Sequence, residues 1–325
     1  MRLAIAGLMV AALTAACGAQ TVEQAVENST ETLSNEEMNV VPGIRETLSD
    51  SIESQDVVIE VNSHHPEFSF DPSRFDCTGV AKQGGALLCQ TTPLANVKTG
   101  RSATRADAFG NVIIGFDRDA VKNTKVTITH AGGETTTHPI TVEPRQYKEQ
   151  RIDGLPPSQV STYSEADLKK IRASSARKKV GFASNQPELY FKDGFDYPIK
   201  EFVKTSPFGS RRILNGEPKS PHYGVDIAAP LGTPIYAPAG GVVGLADEDL
   251  YFEGAMVMID HGQGLNSLYL HVNDVFVKPG DVVERGDLIA EVGSKGRSTG
   301  PHLCWRLKWK RENLDPELLT KWPGR

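Results

Sequence analysis

The sequence lacks an apolar run long enough to cross a lipid bilayer. At the N-terminus a single basic residue, Arg2, precedes an apolar core that extends only from Leu3 to Leu13. A transmembrane helix needs about 20 predominantly apolar residues, whereas a shorter core followed by small residues is typical of a secretory signal peptide. We therefore predict that residues 1–16 are a signal peptide and that the protein is exported to the periplasm or cell envelope.

The sequence also lacks a net positive charge. Its 35 basic and 41 acidic side chains give a formal net charge of −6. A capping-box pattern at Ser164 predicts a helix over residues 164–179, and the basic residues of that segment are best explained as its solvated face. An acidic protein with one basic helix is a poor match for nucleic acid, so we expect no nucleic-acid partner.

Cysteine is scarce, with four residues in 325. Cys17 ends Leu13-Thr14-Ala15-Ala16-Cys17, which resembles a bacterial lipobox except at Thr14; an ordinary signal peptide cut near Ala16 or Ala19 is the alternative. If the lipobox is used, a lipid on Cys17 anchors the protein to a membrane. Because an exported protein meets an oxidising compartment, Cys77 and Cys89, which flank a Gly-Gly turn, are predicted to form a disulfide. Cys304 is then unpaired, and metal coordination would explain its presence.

The remaining sequence divides by composition. Residues 17–56 are rich in acidic and polar side chains and are predicted to be a flexible tether. Residues 57–145 contain short β-branched runs between turn-forming residues, which favours a small β-sandwich-like domain. Residues 146–200 are predicted to be a linker that contains the helix. In residues 201–325 short strands alternate with turns rich in Gly and Pro, so the fold class is predicted to be mainly all-β.

Metal-binding side chains occur at two places in the last segment. His222 and Asp226 are four residues apart, and His302 and Cys304 are two residues apart. Positions i and i+2 of a strand project from the same face, so His302 and Cys304 can both face one cleft. Nitrogen, sulfur and carboxylate oxygen are ligands of Zn²⁺, and a catalytic zinc site typically has three protein ligands. His271 would complete such a site without being a ligand.

The run from Ser206 to Pro316 resembles the lysostaphin-type (LytM-like) zinc metalloendopeptidases, which act on bacterial peptidoglycan. The resemblance follows short motifs in order: Ser206-Pro207-Phe208-Gly209, His222-x-x-x-Asp226, Gly232-Thr233-Pro234-Ile235, Ile259-Asp260-His261-Gly262, Tyr269-Leu270-His271 and Ser298-Thr299-Gly300-Pro301-His302-Leu303. It covers about a third of the chain. At one ligand position the sequence departs from the family, because the second histidine of the His-x-His motif is Cys304.

The resemblance implies a compact, mainly antiparallel β-sheet peptidase domain with a metal cleft on one face. It implies that His222, Asp226 and Cys304 hold one Zn²⁺ ion per chain and that His271 and His302 are catalytic imidazoles. The implied function is hydrolysis of peptidoglycan stem-peptide cross-links in the cell wall. An alternative remains open, because Cys304 is unusual: the chain could be a non-catalytic LytM-like module that binds peptidoglycan or activates a cell-wall amidase.

Overall fold

A mainly β-sheet architecture is observed in the computed structural model, which describes residues 75–322. This confirms the predicted fold class. The predicted signal peptide, the acidic tether, Cys17 and the start of the predicted β-sandwich-like domain lie outside the described residues. Within residues 75–322, no helix is both long enough and apolar enough to cross a membrane.

Seven strands form two small sheets in the first part of the described chain. Their bounds are β1 Asp76–Gly79, β2 Ala86–Gln90, β3 Asn96–Thr99, β4 Ser102–Arg105, β5 Asn111–Gly115, β6 Asn123–Thr129 and β7 Thr135–Thr141. The sheets have the strand orders β1-β2-β5 and β4-β3-β6-β7. In β6, Thr124, Val126 and Ile128 are buried and alternate with more exposed residues, as expected for a strand with one face on a core. Inward-facing residues of both sheets form one apolar cluster.

Cys77 and Cys89 form a disulfide, as predicted from the sequence. They are directly paired across β1 and β2, which brings the two sulfurs together. A cross-link that closes a loop of this size stabilises a protein by about 3 kcal/mol in the loop-entropy model.

Replacing both cysteines by alanine should therefore lower the free energy of unfolding by roughly 3 kcal/mol. Chemical denaturation of the two proteins measures this difference. In the same experiment, the oxidised protein unfolded without reductant should resist alkylation at Cys77 and Cys89. Complete labelling of both thiols without reductant would show that the cross-link does not form.

The middle of the chain contains one strand and two helices: β8 Glu149–Ile152, α1 Pro157–Val160 and α2 Glu165–Gly181. Helix α2 begins with the predicted capping box, in which Ser164 and Asp167 exchange hydrogen bonds. Its basic residues are not only a solvated face, because Arg177 pairs with Asp247 and Lys178 pairs with Glu253.

The last part of the chain forms a ten-stranded sheet and a smaller one. Its elements are β9 Val203–Ser206, β10 Arg211–Leu214, β11 Glu217–Lys219, β12 Val225–Ala228, β13 Pro234–Tyr236, β14 Gly241–Leu250, β15 Gly254–Asp260, β16 Leu265–Val275, β17 Val282–Val283, β18 Leu288–Val292, β19 His302–Trp309, β20 Glu312–Leu314 and α3 Pro316–Leu319. The main path through the large sheet is β17-β14-β15-β16-β19-β12-β9. The smaller sheet, β11-β10-β8, includes the strand from the predicted linker, and β8 runs parallel to β10.

The early strands and the large sheet share apolar contacts. Ala86 of β2 and Ile113 of β5 belong to the same buried cluster as Trp309 of β19. The side chain of Gln263 adds two hydrogen bonds across this boundary: its Oε1 accepts from the Ile113 N–H and its Nε2 donates to the Asn111 carbonyl, each at 2.9 Å. The segments that the sequence divides into separate domains are therefore packed together.

Candidate metal centre

The pairing of β12 with β19 brings the predicted metal ligands together. Asp226 of β12 lies directly opposite Cys304 of β19. His222 precedes β12 by three residues and approaches the same point. One ligand atom from each of the three side chains lies within 4.8 Å of the others. A nitrogen, a carboxylate oxygen and a sulfur therefore converge, as in a three-ligand metal site.

The His222 ring is buried and its orientation is set by a chain of polar contacts. Its Nδ1 lies 3.1 Å from the Ser206 hydroxyl, and that hydroxyl donates to Gln150 Oε1, also at 3.1 Å. Since the single hydroxyl proton goes to Gln150, the His222 Nδ1–H must donate to Ser206. This tautomer leaves the Nε2 lone pair free for a metal ion. Burial also lowers the pKa of His222 to about 4, which keeps the ring neutral.

Asp226 directs one oxygen towards the cluster and the other towards an arginine. Its Oδ2 accepts from Arg212 Nη2 at 2.9 Å. Its Oδ1 is buried and has no hydrogen-bond partner, although it lies 3.0 Å from His222 Nε2. Burial alone would raise the pKa of Asp226, but the neighbouring His222, Arg212 and His302 outweigh it and lower that pKa below its ordinary value. An ionised oxygen without a hydrogen bond is a suitable metal ligand.

Cys304 is the one free cysteine among the described residues, and its side chain is buried. The sulfur lies 3.3 Å from His222 Nε2 and 3.3 Å from Arg306 Nε, which donates to it. Burial raises the pKa of the thiol to about 12. A bound metal ion reverses this effect, because a coordinating thiol is deprotonated.

This arrangement differs from that of a Cys-His-Asp nucleophile. In such a triad the acid and the nucleophile contact different nitrogens of the imidazole. Here the Asp226 oxygen and the Cys304 sulfur both approach His222 Nε2, while Nδ1 contacts Ser206. Three potential metal ligands therefore surround one point, and one of them is a carboxylate oxygen without a hydrogen bond. This arrangement suits a bound metal ion better than a chain of proton transfers.

The two remaining predicted histidines lie beside this cluster. The rings of His271 and His302 are 4.8 Å apart, and His302 Nε2 is 3.9 Å from Asp226 Oδ1. In each ring Nδ1 contacts a backbone carbonyl oxygen, that of Lys295 at 2.9 Å for His271 and that of Gly300 at 2.8 Å for His302. Because a carbonyl can only accept, each Nδ1 is protonated and each neutral ring keeps Nε2 as a proton acceptor.

A distortion of β16 places His271 in the cleft. Its neighbours Leu270 and Val272 pair with the adjacent residues Met256 and Ala255, so His271 is the extra residue of a β-bulge. Its φ angle is +65°, which is uncommon for a residue other than glycine. Such bulges redirect side chains and are frequent near active sites. Burial, with His302 as the next cause, lowers the pKa of His271 to about 4.

The cluster opens into a cleft with a volume of about 390 Å³. One wall is formed by Gln150, Ile152 and Leu155, which belong to the predicted linker. Arg297 and Phe252 lie on the cleft lining as well, and the Arg297 guanidinium stacks on the Phe252 ring at 4.7 Å. The ligand cluster therefore borders an open space of the size that small-molecule sites usually have.

Four of the five predicted site residues line this cleft, and the fifth, His222, is buried beside Asp226 and Cys304; four contributing residues were missed. Arg306 had a sequence signal, because position i+2 from Cys304 shares its strand face. Ser206 begins the first motif of the resemblance and Arg212 follows it in the same run, but neither residue is of a type that usually binds a metal ion. Gln150 had no local signal, since it reaches the site through the long-range pairing of β8 with β10.

A model of peptidase family M23 matches residues 220–316, which include all five predicted site residues. Residues 220–316 are therefore a peptidase M23 domain. The chain is 43% identical over 113 residues to the peptidoglycan DD-endopeptidase ShyA of Vibrio cholerae, a match that covers 34% of this chain and 26% of the relative. It is 36% identical over 129 residues to the DD-carboxypeptidase/endopeptidase Mpg of Neisseria meningitidis, covering 39% and 30%.

A solved structure extends the likeness beyond the M23 domain. The crystal structure of a Pseudomonas aeruginosa protein described as an M23 peptidase has a TM-score of 0.57 and 25% sequence identity, and the match covers 74% of this chain and 94% of that one. The curated relatives are covered less fully. The chain spans about a quarter to a third of the length of ShyA and Mpg.

Proposed function

We propose that the chain is a zinc-dependent endopeptidase that hydrolyses peptide cross-links of bacterial peptidoglycan in the cell envelope. The observation that supports this proposal most is the convergence of His222 Nε2, Asp226 Oδ1 and Cys304 Sγ beside two further imidazoles that line the cleft. The names of ShyA and Mpg support the substrate class.

In this proposal His222, Asp226 and Cys304 hold one Zn²⁺ ion. The donor set supports zinc, since His, Cys and Asp all bind it and a catalytic site with cysteine ligands retains activity in the Cys₂His arrangement. When bound, the ion supplies Lewis-acid polarisation of a carbonyl and lowers the pKa of a bound water from ~15.7 towards 7.

His271 and His302 manage the protons of the reaction. Each neutral ring can take a proton at Nε2 while its Nδ1–H stays bound to a backbone carbonyl. One ring would accept a proton from the attacking water at Nε2, and the other, carrying a proton on Nε2 as an imidazolium, would stabilise the oxyanion or protonate the leaving amine. The carbonyl contacts keep the Nδ1–H of both rings engaged, so Nε2 is the atom at which each ring gains or gives up a proton.

Gln150 should contribute to zinc affinity through Ser206 and His222. Replacing Gln150 by methionine removes the acceptor that orients the Ser206 hydroxyl, so zinc affinity should fall about 10- to 100-fold, the usual effect of losing an orienting partner. Gln150→Glu should retain affinity because a carboxylate can only accept. Competition with a chromophoric chelator measures the zinc dissociation constant.

The matched control is Glu149→Gln in the same strand, because Glu149 is exposed and pairs with Arg151. Its zinc affinity should equal that of the unaltered protein. An unchanged zinc affinity in Gln150→Met, or a loss in Gln150→Glu as large as in Gln150→Met, would contradict the proposed hydrogen-bond chain.

Export and a lipid anchor on Cys17 complete the proposal, and both concern residues outside those that the structure describes. Cys17→Ala should abolish lipidation and shift the protein from the membrane fraction to the soluble envelope fraction. Fractionation with metabolic labelling by a fatty-acid analogue measures both. A variant that stays in the membrane fraction would exclude Cys17 as the anchor, whereas an unlabelled, soluble unaltered protein would favour the ordinary signal-peptide alternative.

Digestion of purified peptidoglycan sacculi by the full-length chain tests the function. Mass analysis should show cross-linked muropeptide dimers disappearing as matching monomers appear, and a chelator should prevent this. Release of stem peptides only when a cell-wall amidase is added would instead support the amidase-activating module. The full-length chain is used because a fragment limited to the M23 domain would lack Gln150, which contacts Ser206 behind the proposed metal site.

A further inference from the structure

Arg306 is the closest cation to the unusual ligand Cys304. The two residues are two positions apart in β19 and share one strand face. Arg306 Nε donates a hydrogen bond to Cys304 Sγ at 3.3 Å. Gly224 makes room for this pair: a side-chain carbon at that position would lie 2.6 Å from Arg306 Cγ and 3.3 Å from the sulfur. The Arg306 side chain therefore packs beside the thiol in space that a larger residue at position 224 would occupy.

Asp226, the other anionic side chain of the cluster, also contacts an arginine. Asp226 contacts Arg212 with Oδ2 and leaves Oδ1 for the common point. A thiolate and a carboxylate would together cancel the charge of a Zn²⁺ ion. Two guanidinium groups on the outer sides of those ligands offset their negative charge and leave the ion more electrophilic.

We propose that Arg306 is a positioning residue that compensates for cysteine at a ligand position that the family fills with histidine. A thiolate donates more electron density to a metal ion than an imidazole does, which weakens the ion as a Lewis acid. A charged hydrogen-bond donor on the sulfur withdraws part of that density, as hydrogen bonds to sulfur ligands do in other metal centres. The inference rests on the proposed metal site.

Two other roles for Arg306 make different predictions. It lines the cleft, so it could instead bind a carboxylate of the substrate. It also lies near Glu253 as well as Asp226, so it could serve only to balance buried charge. Substrate binding would appear in KM, and a purely structural role would appear as loss of the metal or of folding. Compensation at the sulfur would appear in kcat and in the metal–sulfur spectrum.

The test uses the full-length chain loaded with Co²⁺, whose charge-transfer band reports on the metal–thiolate bond without any substrate. Arg306→Met should shift this band to longer wavelength, because the sulfur becomes a stronger donor, while about one metal ion per chain remains bound. With zinc, kcat should fall about 10- to 100-fold, with KM nearly unchanged. Arg306→Lys should shift the band less than Arg306→Met does, since an ammonium group can still donate a hydrogen bond to the sulfur.

Lys308→Met is the matched control, since Lys308 lies two residues further along β19 and contacts the Phe182 ring rather than the sulfur. It should leave the band and kcat unchanged.

On a Cys304→His background, Arg306→Met should no longer lower kcat. An unshifted band in Arg306→Met with metal retained would overturn the inference, as would loss of metal or a change confined to KM. Absence of hydrolysis by the unaltered chain would instead count against the proposed function and leave the cobalt result interpretable.

Discussion

Cys304→Ser is expected to lose most of the zinc that the unaltered chain binds. The serine oxygen lies closer to its own backbone than the cysteine sulfur does, and the hydroxyl does not ionise at neutral pH. His222 and Asp226 would then be the remaining ligands. Cys304→His should recover zinc binding, because an imidazole is the ligand that the family uses at this position. Elemental analysis after dialysis against metal-free buffer measures the zinc content of all three proteins.

Full zinc occupancy in Cys304→Ser would show that the sulfur is not a ligand. The matched control is Cys77→Ala with Cys89→Ala, which removes two cysteines distant from the cleft in sequence and should leave one zinc per chain. Hydrolysis of cross-linked muropeptides should follow zinc content across the series, with Cys304→His at least as active as the unaltered chain.

The second large effect is expected at the two non-ligand histidines. His271→Ala and His302→Ala should each keep zinc but lose turnover by about 10²- to 10⁴-fold, the usual contribution of a general acid or base. Their Nδ1 atoms bind backbone carbonyls and do not contribute to the three-ligand cluster. Zinc content and kcat measured on the same preparations separate coordination from proton transfer.

His138→Ala is a suitable control for these substitutions, because His138 lies in β7 and contacts Thr136 and Phe75. Its zinc content and kcat should not change. Loss of zinc from His302→Ala would reassign His302 as a ligand, and retention of full activity in either variant would remove that residue from the mechanism.

Much of the site could be predicted because its chemistry is carried by short motifs. His222 and Asp226 lie in one segment and His302 and Cys304 in another, so only the β12–β19 pairing was needed to join them. That pairing is non-local; the resemblance to a known family supplied the set of ligands but not the pairing of the strands. The unusual backbone of His271 was not predictable, since its φ of +65° arises from a bulge in the register with β15.

The outer contacts of the site were missed for a different reason. Gln150 lies about seventy residues before His222 in a segment read as a linker, and only tertiary structure places it behind Ser206. The same holds for Ile113, which lies in a β-branched run of the predicted β-sandwich-like domain: such a run predicts a strand but not the shared cluster with Trp309. Local periodicity predicts which residues are buried, whereas their partners depend on how distant strands pack.

X-ray absorption at the zinc edge of the full-length, zinc-loaded chain tests the central claim most directly. We expect one zinc per chain with a single sulfur ligand at ~2.3 Å and nitrogen or oxygen ligands at ~2.0–2.2 Å. A protein that binds no zinc, or a zinc shell without sulfur, would contradict that claim.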